Sequence, residues 1–223
     1  PDGKRVYFVG GANNDRDGWN YINRWGNFFN LAGIQGFTRL NASSGKFGDI
    51  TFTSMFRNTG GYFYNDELSG TMNEPPKYFR HNHQSIYDAV DQIKADIEDS
   101  PLEEGEQFNL AGYSYGSVLQ AQVALRLADN GTYIDNLILI GSPISENSDL
   151  FKELSENENI GNILRVDIEG DLLSNPKSML EYLEGARQNS GDDGPHFDLA
   201  RPGEKVDQNI QQVIDWLKEQ GIE

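Results

Sequence analysis

The chain has no cysteine among its 223 residues. Disulfide staples, thiolate zinc sites, iron–sulfur clusters and a cysteine nucleophile are therefore excluded, while every redox compartment stays open. Histidine is scarce, with only His81, His83 and His196. Positive charge is short as well: 18 Lys and Arg face 35 Asp and Glu, a formal net charge of −17. Such a chain repels a polyanion, so no nucleic-acid partner is expected. No apolar run approaches the roughly 18–20 residues of a membrane-spanning helix. The chain opens at Pro1 with neither Met nor a signal peptide, which reads as a processed or excised piece whose targeting segment lies elsewhere.

Core-forming material is plentiful, with 37% hydrophobic and 11% aromatic residues. At about 100–200 residues per domain, the length suits one domain, read as 1–223. The acidity is uneven. Residues 1–80 hold nine Lys and Arg against seven Asp and Glu, whereas 81–223 hold nine against 28. The later part therefore carries solvated acidic helix faces, and the earlier part is the one that tolerates an anionic partner or surface.

Apolar patterning alternates between two periods. Arg5–Val9 is a short buried strand ended by Gly10-Gly11, and Asp17–Leu31 has helical spacing stopped near Gly33. A second strand is expected over Gln35–Leu40. Residues 41–80 are rich in Gly, Asn, Ser and aromatics, and read as a lid or substrate-binding insertion with Thr51–Thr53 as its best strand candidate. A helix follows from Ser85, with Ser85 and Asp88 placed as an N-terminal cap. Strands are expected at Gln107–Ala111, Ile134–Ile140 and Ile163–Ile168. Helices are expected at Ser117–Asp129, Asp149–Leu154, Lys177–Arg187 and Glu204–Glu219. Strands alternating with helices predict an α/β fold, a mostly parallel sheet with helices on both faces.

The strongest chemical signal is Gly112-Tyr113-Ser114-Tyr115-Gly116, set between a predicted strand and a predicted helix. That setting is what a nucleophile elbow requires: a strained serine, glycines two residues away on each side, and a helix N-terminus that favours developing negative charge. With this motif, the order of elements and the Ile140-Gly141-Ser142-Pro143 turn, the chain resembles the α/β-hydrolase superfamily, particularly its lipase and esterase branches, from about Val6 to Leu217. The resemblance implies a triad in the chain order Ser, Asp or Glu, then His. Ser114 is the nucleophile. His196 is the base, since His81 and His83 precede the serine. The acid lies among Asp167, Glu169 and Asp171, and the Gly170-Asp171 setting favours Asp171. The resemblance also implies an oxyanion hole built from the Tyr115 N–H and a second N–H at Ala12 or Gly11.

The chain departs from the family in three ways. Gly10-Gly11-Ala12 replaces a His-Gly pair, only four residues precede the first expected strand, and no strand separates Asp171 from His196. This describes a trimmed α/β-hydrolase fold of five or six strands. Two decoys are set aside. Asn13-x-Asp15-x-Asp17-Gly18 begins like a calcium loop, but Arg24 stands where the bidentate Glu belongs. His81 and His83 have metal-pair spacing without further ligands of comparable quality. No metal is expected. Neither a dinucleotide fingerprint nor a phosphate-loop lysine follows the first strand, and no cofactor is expected.

The expected activity is hydrolysis of carboxylic esters of lipids, by a lipase or phospholipase, with transient membrane contact. The apolar groove would come from aromatics of the early segment such as Trp19, Trp25, Phe52 and Tyr64; Arg39, Lys46, Arg57, Lys77 and Arg80 could meet a headgroup. The alternatives are a carboxylesterase or thioesterase on soluble substrates, and a binding module on the hydrolase fold. A cysteine-free domain rich in Asn, Gly and Asp is also similar to lipase modules delivered by bacterial secretion systems. That resemblance implies a secreted antibacterial effector or toxin with an immunity-protein partner.

Overall fold

The structure is a computed structural model and describes residues 4–11, 18–42, 72–76, 78, 80, 82 and 84–222. Strands β1 (Lys4–Val9), β2 (Gly36–Arg39), β3 (Gln107–Tyr113), β4 (Ile134–Ile140) and β5 (Ile160–Val166) alternate with helices. The helices are α1 (Tyr21–Leu31), α2 (Gln84–Asp99), α3 (Tyr115–Asp129), α4 (Asp149–Ser155), α5 (Met179–Gln188) and α6 (Glu204–Glu219), with a 3₁₀ turn at Pro195–Phe197 before the last. Among the described residues the strands form one sheet in the order β2-β1-β3-β4-β5, and every pairing is parallel.

The apolar runs explain this architecture. A parallel sheet is buried on both faces, so its strands need few polar positions. Tyr7, Val9, Leu110, Leu137 and Leu139 pack with Ile86, Val90 and Ile93 of α2 and with α3. The alternate side chains Val6, Phe8, Ala111, Tyr113, Ile138 and Ile140 pack with Ile22, Trp25 and Phe29 of α1 and with Ile210, Ile214 and Leu217 of α6. Burying each such side chain is worth roughly 1.5–3 kcal/mol. Helix α3 is buried nearly all round, as befits the one that follows the central strand.

One polar row runs from this apolar interior out to the edge strand. Asn109, Asn136 and Asn162 are register partners on β3, β4 and β5. Asn136 Nδ2 donates to Asn109 Oδ1 at 2.7 Å, and Asn162 Nδ2 donates to Asn136 Oδ1 at 3.0 Å.

Several boundaries differ from expectation. Helix α1 starts at Tyr21, four residues later than Asp17. Helix α2 starts at Gln84, so Ser85 lies inside the helix; Asp88 accepts from Gln84 Nε2 at 2.8 Å. Strand β3 runs on to Tyr113 and α3 opens at Tyr115, because Ser114 alone makes the turn. Strand β5 starts at Ile160 rather than Ile163. It is an edge strand, and exposed Gly161 and Asn162 dilute the apolar signal at its start. Helix α5 starts at Met179, where Ser178 Oγ accepts the Glu181 N–H at 3.1 Å.

The strand order places the site. It reverses between β1 and β3, and ligands of open α/β sheets bind beyond the carboxyl ends of the strands at such a switch point. Gly10-Gly11 follows β1 there, and Ser114 follows β3.

Candidate active site

Ser114 has φ 54° and ψ −125°, one of three non-glycine residues with positive φ among the described residues. Such strain costs of order 1–3 kcal/mol and persists only where the surroundings over-determine it. The surroundings are glycines. A Cβ on Gly112 would stand 2.4 Å from the Gly116 carbonyl oxygen, and one on Gly116 would stand 2.4 Å from the Gly10 carbonyl oxygen. Rigid backbone lies on the far side of both contacts, so neither position has room for a side chain. The turn is also tied down: the Ser114 N–H donates to Ile140 O at 2.8 Å, and Ser117 Oγ donates to Ser114 O at 2.5 Å and contacts Ser142 Oγ at 2.7 Å.

Two loops converge on this serine. His196 lies in the 3₁₀ turn before α6, and its Nε2 stands 2.7 Å from Ser114 Oγ. Its Nδ1 stands 2.5 Å from Asp171 Oδ2. Asp171 follows β5, and all three residues are more than nine-tenths buried. Asp167 and Glu169 are exposed instead. Asp167 accepts from Arg165 and from Asn175 Nδ2, each at 3.1 Å. Burial alone would push the Asp171 carboxyl up. Hydrogen bonding from His196, the imidazole's charge, Ser174 Oγ and the Leu173 N–H outweigh it and hold the carboxyl below the usual range.

Further contacts, which no spacing along the chain announces, fix these loops. Ser174 Oγ donates to Asp171 Oδ2 at 2.7 Å, and the Leu173 N–H donates to Oδ1 at 3.0 Å. Asn189 Nδ2 also donates to Oδ1 at 3.0 Å, while Asn189 Oδ1 accepts the His196 N–H at 2.9 Å. The Tyr113 hydroxyl donates to the His196 carbonyl, and its ring stacks on the imidazole at 5.6 Å. Trp25 Nε1 donates to Leu199 O at 3.0 Å. Arg24 donates to Ala200 O and Arg201 O, and Arg201 donates to Gly194 O at 2.9 Å. Asn189 closing a helix is a familiar stop signal, but its reach to two other loops has no spacing signature.

The oxyanion side differs from expectation at one residue. The Gly11 N–H donates to Tyr21 Oη at 2.7 Å, so this donor is already engaged. Tyr115 opens α3, which places its N–H at the positive end of the helix dipole beside Ser114. Ala12 lies outside the described residues, as do His81, His83, the Asn13–Asp17 loop, residues 43–71, Lys77 and therefore most of the expected lid. Arg80, expected to meet a headgroup, is instead paired with Asp129 and Glu153. Trp25 is a core residue, whereas Trp19 meets Phe197 edge-on at 5.5 Å, next to His196. A groove of about 520 Å³ flanks the site between β5 and α6, lined by Val166, Ile168, Leu199 and Trp216 with acidic Asp167 and Glu169. Ile168 borders it: a Cβ on Gly141 would touch both Ile168 Cδ1 at 3.0 Å and His196 Cε1 at 3.5 Å.

No protein-family model and no curated protein sequence matches the chain. Solved structures do. A protein of unknown function from Agrobacterium tumefaciens, described provisionally as an alpha/beta hydrolase, is 15% identical with a TM-score of 0.53; the match covers 98% of this chain and 86% of that one. A Trichoderma reesei cutinase in complex with a phosphonate inhibitor is 16% identical with a TM-score of 0.44, covering 98% and 75%. A cutinase-like protein from Cryptococcus sp. is 14% identical with a TM-score of 0.43, covering 99% and 95%. The parallel sheet, the strand–turn–helix at Ser114 and the first of these likenesses together give the chain a trimmed α/β-hydrolase fold.

Proposed function

We propose that the chain is a serine ester hydrolase that works through an acyl-enzyme on Ser114. The observation that carries this reading is the hydrogen-bonded series Ser114 Oγ, His196 Nε2, His196 Nδ1, Asp171 Oδ2. A hydroxyl is a weak nucleophile at neutral pH and needs an adjacent base, itself oriented by a third group. His196 takes the Ser114 proton on Nε2 as Oγ attacks the ester carbonyl carbon, and the carbonyl electron pair moves onto oxygen. The Tyr115 N–H, at the start of α3, faces that oxygen. Asp171 stays ionised and stabilises the imidazolium. The imidazolium then gives its proton to the leaving alcohol as the carbon–oxygen bond breaks. Water repeats the sequence on acyl-Ser114, which releases the acid and restores the hydroxyl.

Lipid esters are the substrate class favoured by the surroundings. Phe197 sits beside the base with Trp19 packed edge-on against it, and the apolar lining of the flanking groove reaches Ile168. The engagement of Arg80 by two carboxylates favours an uncharged ester over an anionic phospholipid, while the groove lining itself carries both signs, Asp167, Glu169 and Asp198 with Arg165 and Lys205.

A fluorophosphonate probe followed by peptide mass spectrometry tests the reading. Wild type is expected to carry the label on Ser114. Ser114→Ala is expected to carry none, and His196→Ala to label slower by about 10³-fold or more. A folded wild type that stays unlabelled with and without lipid micelles overturns the reading in favour of a binding module.

A further inference from the structure

Among the described residues Asn189 is the one buried amide that touches both Asp171 and His196, and no step of the hydrolysis uses it. It closes α5 and is 1% exposed. Its Nδ2 donates to Asp171 Oδ1 at 3.0 Å and to Gly185 O at 2.9 Å. Its Oδ1 accepts the His196 backbone N–H at 2.9 Å. One planar group therefore joins the last turn of a helix to two separate loops. The chain closes tightly over it: a Cβ on Gly194 would stand 2.2 Å from Asn189 Oδ1.

The carboxylate shows what this achieves. Asp171 has two oxygens and about four acceptor sites, and each oxygen is met twice. Oδ2 faces His196 Nδ1 and Ser174 Oγ; Oδ1 faces the Leu173 N–H and Asn189 Nδ2. Rotation of the carboxylate about its last torsion would break contacts on both oxygens at once. The same amide stops the main chain of His196 from sliding along the carboxylate.

We infer that Asn189 is the positioning residue of the site, setting the distance and angle between Asp171 and His196 through one side-chain amide. The inference rests on the hydrolase reading for its consequence in catalysis, but the bracket itself is a property of the fold. Asn189 touches no reacting atom, so its loss lowers turnover without changing how well an ester binds.

Two variants separate the halves of the bracket. Asn189→Asp keeps the acceptor for the His196 N–H and replaces the donor to Asp171 with a second carboxylate oxygen. Two carboxylates at that range do not both stay ionised, so the pair holds a proton at a pH where Asp171 alone would not. The other titratable groups bearing on Asp171 are His196, from the 3₁₀ turn, and the Tyr113 hydroxyl, from the end of β3. Asn189→Leu removes both halves.

The test compares wild type with both variants in hydrolysis of a short-chain p-nitrophenyl ester across pH, and in histidine ¹⁵N NMR, with His196→Ala assigning the His196 signals. Asn189→Asp is expected to lower kcat by about tenfold or more with KM within about twofold, and to move the acid limb of the kcat profile to higher pH. The His196 Nδ1–H resonance should shift upfield in both variants as its hydrogen bond to Asp171 loosens. Should Asn189→Leu fail to fold, Asn189→Asp decides. Variants with unchanged His196 signals and an unchanged pH profile overturn the inference, even at a lower melting temperature, which a purely structural amide would also produce. If wild type hydrolyses no ester, the functional reading fails on its own, and the NMR comparison still decides whether Asn189 sets the Asp171–His196 pair.

Discussion

The two halves of the site are held in place by different physics. Ser114 is positioned by exclusion. Its strained backbone is forced by the packing of Gly112, Gly116 and the end of β1, where rigid carbonyls leave no room for a side chain. Asp171 and His196 are positioned by attraction. They lie on loops, and Ser174, Leu173, Asn189, Tyr113, Trp25 and Arg24 fasten those loops with hydrogen bonds. Exclusion is all-or-none, whereas a set of hydrogen bonds weakens one member at a time. The Ser114 half should therefore fail abruptly on substitution, and the Asp171–His196 half by degrees.

Glycine substitutions probe the abrupt half and should have the largest effect. Gly116→Ala drives a Cβ against the carbonyls of Val9 and Gly10, and is expected to cost about 3 kcal/mol or more, or to prevent folding. Gly191→Ala, with open space around it, is the control and should stay within about 0.5 kcal/mol. Urea denaturation of both variants checks this, and equal stability would erase the contrast. In the graded half, Ser174→Ala removes one donor to the ionised Asp171. It should slow ester turnover by about tenfold while the protein stays folded, as steady-state kinetics and circular dichroism would show. Trp25→Phe keeps the ring in the core but removes the donor to Leu199 O, and should lower stability by about 1 kcal/mol with a smaller loss of rate.

The smallest expected effect is on pH. The Asp171 carboxyl is held low in the fold, so its ionised form favours the folded state. That contribution is complete above the ordinary carboxylate value of about 3.9 and fades as pH falls through the lowered value. Melting temperatures of wild type and Asp171→Asn should therefore converge below about pH 4. A gap of constant size down to pH 2 would show that Asp171 contributes through packing alone.

The same contrast explains what could be read from the sequence. Exclusion leaves a mark, because glycines at fixed offsets around Ser114 are a pattern in one dimension. Ile134–Ile140 and Glu204–Glu219 were equally legible, as one ends in the unbroken apolar run Leu137–Ile140 and the other has clean helical spacing. Attraction between loops leaves no such mark. Asp167, Glu169 and Asp171 crowd one strand end; the Gly170-Asp171 setting favours the last, and burial together with the His196 contact separates it from the other two. Asn189, Ser174 and Tyr113 belong to three different elements, and nothing in their spacing announces that they meet. The engagement of Gly11 by Tyr21 was hidden for the same reason. At β5 an exposed edge blurred the apolar signal, and the strand began three residues early.

The row of Asn109, Asn136 and Asn162 has a consequence for how the chain finds its native pairing. Apolar alternation alone is blind to a slip of two residues, since every side chain would return to the same face. Amides are not blind to it. Such a slip would set the buried carboxamides of Asn109 and Asn136 against aliphatic neighbours, at a cost of about 1–3 kcal/mol for each group left unsatisfied. The three asparagines thus act as a molecular vernier across β3, β4 and β5, rejecting near-miss alignments that the hydrophobic side chains would accept.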